Sequence, residues 1–384
     1  MKIQLFNKIA QVGLDELDSS YTIGEDVQNP DGILVRSAAL HDMEFGSELK
    51  AIARAGAGVN NIPIDRCSEQ GIVVFNTPGA NANGVKELAV CALLLAARDV
   101  VGGVEWAKSL AGSTDVAKQV EKGKSKFAGT ELTGKTLGVV GLGAIGGLIA
   151  NVAYHLGMKV IGCDPFLSVE GAWNLNHHVR RAATFDEIFE QADYITLHVP
   201  ATKDTKNMIN AESIAKMKDG VKLINLSRAD LVNVPDLGVA LESGKVSAYV
   251  TDFPTEEVLA LTHTVAIPHL GASTEESENN CAVMAARELD DYLKNGNIRN
   301  SVNFPSVELP RSGAARICAL HANIPAVITG ITGALSAEGL NIENMTSKSK
   351  GENACTLIDV SSAPTEAAVE HIRSIAGMLR VRVV

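Results

Sequence analysis

Short apolar runs alternate with helix-length segments along most of the chain. Gly32-Ile-Leu-Val-Arg36 and Gly71-Ile-Val-Val-Phe75 read as strands buried on both faces, with residues 44–54 as a helix between them. Residues 87–100 form a long apolar helix, and residues 101–134 read as a more polar connection bearing Gly and Lys. Six strand patterns follow, at 136–140, 160–163, 194–199, 222–226, 248–253 and 264–267, with helical patterns such as 185–192 and 211–217 between them. Strands alternating with helices predict a parallel sheet covered on both faces, and six are enough for a doubly wound one. A capped helix over 274–293 comes next, with Ser273 and Thr274 as its start signals.

The helices at 87–100 and 274–293 bracket the six-strand unit, which therefore reads as an insertion into the first domain. The expected division is 1–95 with 284–306, then 96–283, then 314–384. Pro310 and Ser312-Gly313 mark residues 307–313 as a hinge. Beyond it the pattern is strand 316–321, helix 326–338, strands 342–348 and 354–361, helix 366–375 and strand 379–383. Such a split βαβ unit carries helices on one face only, so its other face or its edge needs a partner.

Composition narrows the function classes. The chain has 384 residues, a net charge of −11 and 4% aromatic residues, which speaks against a nucleic-acid or anionic-membrane surface. The longest apolar stretches, 88–97 and 137–150, are too short to span a bilayer. No charged and apolar leader follows Met1, and Cys67, Cys91, Cys163, Cys281, Cys318 and Cys355 are scattered without a CxxC pair. A cytoplasmic protein with reduced thiols and no metal site is expected.

The strongest chemical signal is Gly141-Leu-Gly-Ala-Ile-Gly146, which follows a strand and opens a helix. Glycine permits the tight turn, the close approach of backbone to a pyrophosphate, and close helix packing. Asp164 ends the next strand, where an acid binds both ribose hydroxyls and, without a following Arg, repels a 2′-phosphate, so NAD is favoured over NADP. Polar residues also gather just past the later strands: His198-Val-Pro200, Ser227-Arg228, Thr251-Asp252 and Pro268-His269. Ligands bind at the carboxyl ends of open parallel sheets. A hydride-transferring site for a hydroxy acid needs a cation, a base and an acid that orients the base. Arg228, either His269 or His198, and one of Asp252, Glu256 or Glu257 can supply them. The adjacent His177 and His178 have no metal-ligand spacing, His155 lies in an apolar helix, and residues 118–126 read as a solvated basic connection.

Several segments together resemble the D-2-hydroxyacid dehydrogenases and, within them, the D-3-phosphoglycerate dehydrogenases. They are Arg54-Ala-Gly-Ala-Gly-Val-Asn60, Asn76-Thr-Pro-Gly-Ala-Asn81 with Val85 and Glu87, Gly134-Lys-Thr-Leu-Gly-Val-Val-Gly-Leu-Gly143, Ile224-Asn-Leu-Ser-Arg228, Phe253-Pro-Thr-Glu256 and Pro268-His-Leu-Gly-Ala-Ser-Thr274. The resemblance implies two flavodoxin/Rossmann-like doubly wound α/β domains, the nucleotide-binding one inserted in the substrate domain, and a homo-oligomer, dimer or tetramer. It implies Arg228 as the substrate-carboxylate arginine, Glu256 as the acid that orients the histidine (with Glu257 a minor alternative), and His269 as the acid/base. His198, Val199 and Pro200 fall in the cofactor-side loop. Gly141, Gly143, Ala144, Ile145, Gly146, Asp164, Leu226, Ser227, Asp252, Gly271 and Ala272 complete the implied NAD contacts. The substrate side is implied as Arg36, Ser37, Gly58, Val59 and Asn81, with Arg36 toward a phosphate. Two departures stand out: Ala229 replaces the usual Gly, and Thr251 occupies the family's Asp position, with Asp252 one step late.

The tail resembles an α+β, ferredoxin-like ACT domain, with His321, Asn323 and Asn341 at the positions that bind L-serine in serine-inhibited relatives. Ala326 stands where Gly usually follows the Pro. The expected activity is NAD-linked oxidation of 3-phosphoglycerate to 3-phosphohydroxypyruvate, entering serine synthesis. Its rivals are another 2-hydroxyacid dehydrogenase, such as a hydroxypyruvate or glyoxylate reductase, and an NADH-sensing corepressor on the same fold.

Overall fold

The computed structural model describes residues 1–384, which form two compact units, Met1–Asn81 with Glu275–Val384, and Ala82–Thr274. In the first unit, β1 (Lys2–Phe6), β2 (Thr22–Gly24), β3 (Gly32–Val35), β4 (Ala51–Arg54) and β5 (Val73–Phe75) make an all-parallel sheet in the order β2-β1-β3-β4-β5. β3 and β5 are buried along their whole length, which is why they read as unbroken apolar runs. The expected helix at 44–54 is absent. Ala51–Arg54 is a central strand, and the short helix is Ile64–Glu69. Four residues of Ala-Ile-Ala-Arg carry no periodicity that separates strand from helix, so the neighbouring strands decided the outcome. The helix Glu275–Asn295 packs Ala282, Ala285, Ala286 and Leu289 into the same core as Leu34, Ala53 and Val73.

β13 (Ala315–Ala322), β14 (Ile342–Lys350), β15 (Asn353–Val360) and β16 (Met378–Val383) form an antiparallel sheet in the order β14-β15-β13-β16. Ile317, Ala319, Ile358 and Val360 face the sheet's own two helices, Val327–Ala337 and Glu366–Arg373. The other face found its partner within the chain: Cys318, Leu320, Cys355 and Leu357 join Tyr292, Leu293, Ile298 and Phe304 of the first unit's core. The expected hinge at 307–313 is pinned. Val307 exchanges two backbone bonds with Ile298, the Leu309 amide donates to Asn297, and Ser312 donates to Asp359. Arg316 and Asp359, opposite each other in the β13/β15 register, form a fully buried bidentate ion pair at 2.6 and 2.8 Å.

The second unit holds β6 (Thr136–Val140), β7 (Lys159–Cys163), β8 (Arg180–Arg181), β9 (Tyr194–Leu197), β10 (Val221–Asn225), β11 (Val246–Thr251) and β12 (Thr264–Ala266). All seven are parallel, in the order β12-β11-β10-β9-β6-β7-β8. Two-residue β8 is the strand the sequence pattern was too short to reveal. The unit begins at Ala82 and ends at Thr274, whereas the sequence pattern placed these changes at 95/96 and 283/284. The helix Ala82–Ala97 belongs to it because Val85, Ala89 and Leu93 pack with Leu137, Ile149 and Ile224. Residues 101–134 contain more helix than their polarity suggested, at Val100–Ser109 and Val116–Gly123. Neither helix buries a side chain, so neither imprints an apolar stripe on the sequence. No helix in the structure is long and apolar enough to cross a membrane.

Candidate active site

The order of the second sheet reverses between β6 and β9, which opens a crevice at their carboxyl ends. The glycine-rich turn lies there. Gly141 adopts φ +90°, and a side chain on it would meet the His198 carbonyl at 2.6 Å. Gly143 opens onto free space and caps the helix Ala144–His155 without a side-chain acceptor, so its first amides stay available to an anion. Asp164, past the end of β7, accepts from the Leu142 amide at 2.9 Å and the Phe166 amide at 2.8 Å, which ties the acid to the turn.

The polar groups expected at the later strand ends are all there. Past β9, the His198 ring nitrogen shares a 2.7 Å hydrogen bond with Thr196, and burial pushes the imidazole down to about 3. A ring with so little affinity for a proton, and committed to a neighbour, is a poor base. Past β10, Arg228 is exposed, and its guanidinium donates to the Ser227 carbonyl at 2.6 Å, with no carboxylate paired to it. The turn is shaped by a residue that sequence reasoning passed over. Buried Asn225 donates to the Arg228 carbonyl at 2.8 Å and accepts from the Ser227 amide at 3.2 Å, while Ser227 Oγ donates to the Val199 carbonyl at 2.7 Å. The signal was available: Asn225 is the polar residue that ends an otherwise apolar strand.

Past β11, Thr251 and Asp252 behave differently. The Thr251 hydroxyl donates to the Asn225 carbonyl at 2.9 Å and accepts from the Phe253 amide at 3.2 Å, so it is spent on the backbone. Asp252 is 1% exposed, with Oδ2 3.4 Å from the Gly271 amide and Oδ1 buried without a partner. Burial raises its carboxyl, opposed by the nearby charges of His269 and Arg228. Past β12, His269 is exposed, and its ring lies 4.9 Å from that of Phe253, tilted by 55°. Glu256 and Glu257 open a one-turn helix capped by Thr255 and point to solvent; Glu256 shares no hydrogen bond or ion pair with His269.

In the first unit, Arg36 and Ser37 follow β3, Gly58 and Val59 follow β4, and Asn81 follows β5, again at carboxyl ends. Arg36 pairs with Glu278 at 2.6 Å, both about two-fifths exposed, and Asn81 Oδ1 is buried without a donor. In the terminal sheet, His321 is buried. One ring nitrogen contacts the Ala322 carbonyl and the other the Thr356 hydroxyl, each at 2.9 Å. Asn323 and Asn341 are exposed, and Ala326 holds the left-handed φ of +70°.

Residues 97–271 match the family model described as D-isomer specific 2-hydroxyacid dehydrogenase, NAD binding domain. The D-3-phosphoglycerate dehydrogenase of Escherichia coli is 31% identical over 91% of this chain and 85% of its own. The hydroxypyruvate reductase of Thermotoga maritima is 39% identical over 66% of this chain and 81% of its own. This chain belongs to the D-isomer-specific 2-hydroxyacid dehydrogenases. Among solved structures of these dehydrogenases, the NAD+-bound 3-phosphoglycerate dehydrogenase of Entamoeba histolytica superposes with a TM-score of 0.61 at 28% identity, covering 79% of this chain and 98% of that one. The chain spans about half the length of several other curated D-3-phosphoglycerate dehydrogenases it matches, at 33 to 37% identity. The glycine turn and Asp164 thus lie in the family's NAD-binding domain.

Proposed function

We propose that this dehydrogenase oxidises 3-phosphoglycerate to 3-phosphohydroxypyruvate with NAD, the entry step of the phosphorylated route to serine. One observation carries the reading: an unpaired arginine, an exposed histidine and a buried acid stand at the ends of adjacent strands β10, β12 and β11 in the NAD-binding domain. The residues present fit the cofactor. The open cradle at Gly143, the free helix amides and the carboxylate of Asp164 match a pyrophosphate and a ribose without a 2′-phosphate. Ala144, Ile145, Gly146, Val199, Pro200, Leu226, Ser227, Gly271 and Ala272 complete the proposed cradle. Between Thr251 and Asp252, Asp252 is the proposed cofactor-side residue, because the Thr251 hydroxyl is spent on the backbone.

When bound, NAD would supply the acceptor for the hydride of C2. Arg228 binds the substrate carboxylate and polarises the developing carbonyl, and His269 accepts the hydroxyl proton. Glu256, once the site is loaded, is the proposed partner that orients the ring. Arg36 meets the phosphate: its ion pair with Glu278 is solvent-exposed, so little opposes exchanging one anion for another. Ser37, Gly58, Val59 and Asn81 line the same side.

We further propose substrate, nucleotide and ACT regulatory roles for the β1–β5 sheet, the unit Ala82–Thr274 and residues 314–384, a cytoplasmic location, and a homodimer or homotetramer. L-serine is the proposed effector. Exposed Asn323 and Asn341 are its ligands and buried His321 their support, while Ala326 narrows the approach relative to Gly.

The decisive test is the initial rate of NADH formation with 3-phosphoglycerate against a panel of unphosphorylated 2-hydroxy acids. Selective turnover of the phosphorylated acid is expected; turnover of the unphosphorylated acids alone discards Arg36 as a phosphate contact and assigns a reductase-type substrate. His269→Ala should lower kcat by about 10²- to 10⁴-fold with NADH binding intact.

A further inference from the structure

The acid that shares the interior with the reaction centre is not the one the family pattern nominates. Asp252 lies one residue past the position that carries the family's Asp, and strand alternation would send it to the opposite face. β11 ends at Thr251, however, and the chain leaves the sheet there. Asp252 then turns beneath the turn that carries His269, with one oxygen toward the Gly271 amide and the other against no donor at all. The next residue, Phe253, supports the His269 ring from the same segment. The charged and titratable groups whose fields couple to this carboxylate are the His269 imidazole from the turn after β12, the Arg228 guanidinium from the turn after β10, and the Tyr249 hydroxyl from its own strand. A buried carboxylate oxygen without a donor is unstable unless a cation or a ligand donor completes it.

Resting on the assignment of His269 as the acid/base, we propose that Asp252 is a positioning residue that acts through His269, its unpartnered oxygen stabilising the imidazolium formed when the substrate hydroxyl gives up its proton. The coupling is reciprocal. The proton that His269 gains draws the Asp252 carboxyl toward its ionised form, and ionised Asp252 holds that proton on the ring until the product leaves. No bond to Asp252 is made or broken. Glu256, out in solvent, is left to orient the ring and contributes less to its charge.

The test is the pH profile of kcat/KM in both directions, with NADH affinity by fluorescence titration, for the intact protein and its Asp252→Asn and Glu256→Gln variants. Asn retains an acceptor for the Gly271 amide and removes only the charge. In Asp252→Asn, the histidine-linked limb of each profile should move to lower pH by about one unit. Glu256→Gln should move the limb less, and any fall in NADH affinity in Asp252→Asn reports its cofactor contact separately from the shift of the limb. Unmoved limbs with NADH affinity weakened tenfold or more would make Asp252 a cofactor contact alone; unmoved limbs with unchanged affinity would make it a bystander, and either overturns the proposal. If Asp252→Asn fails to fold by circular dichroism, Asp252→Ser with an NMR titration of the His269 ring gives the same readout. Undiminished turnover in His269→Ala removes the acid/base assignment itself, a result distinct from any Asp252 outcome.

Discussion

Two aspartates, Asp359 in the terminal sheet and Asp252 in the nucleotide-binding unit, are equally hidden from water, at 0% and 1% exposure. Their surroundings are opposite. Asp359 receives two bonds from Arg316 and two more from the Ser312 amide and hydroxyl. Burial alone would push its carboxyl up, but these bonds outweigh burial and hold it below the usual range. Asp252 has one long contact and an idle oxygen, and burial prevails. The difference separates two uses of a buried acid. A carboxylate whose donors are all built in serves the fold, and one whose donors are missing is kept for something that arrives later.

Removing charge should therefore have contrasting effects at the two sites. Asp359→Ala leaves the Arg316 guanidinium buried and alone, and should cost roughly 3–5 kcal/mol in denaturant unfolding of the first unit. A smaller effect belongs to an intermediate case, Glu288, whose Oε1 accepts from Asn300 while Oε2 has no donor. Burial raises its carboxyl from 4.5 to about 7. Over that interval the folded chain keeps a proton that the unfolded chain has released, so stability falls as pH rises from about 4.5 through about 7. The fall is on the order of 3 kcal/mol, and Glu288→Gln should flatten it. A flat wild-type curve would place Glu288 with Asp359. The smallest effect is expected at Asp252→Asn, whose unfolding free energy should stay within about 1 kcal/mol of wild type, because no built-in partner is stranded. A loss as large as that of Asp359→Ala would erase the distinction.

Asp252 and Asp359 also show where the sequence is and is not readable. The strands of the nucleotide-binding unit were legible because burial on both faces demands unbroken apolar runs, and Arg228 and His269 were legible as polar residues that stop those runs. Ala51–Arg54 was not, since alanine and a terminal arginine suit either a strand or a helix. The Arg316–Asp359 pair was invisible because 43 residues separate its members and only the β13/β15 register brings them together. Asn225 was seen only as the end of a strand; its bonds to residues 227 and 228 exist once the chain folds back on itself. Register and return turns are tertiary facts, and a linear pattern does not contain them.

The first unit is assembled from both ends of the chain, with residues 3, 34 and 73 in one core with residues 282–293 and 318–357. During synthesis from the amino end, the continuous unit Ala82–Thr274 can complete itself as it leaves the ribosome. The first eighty residues must wait on the order of ten seconds longer for residues 275–384 to be made. Their apolar strands stand uncovered meanwhile, so the newborn chain is most open to chaperones and to misassembly at its oldest end.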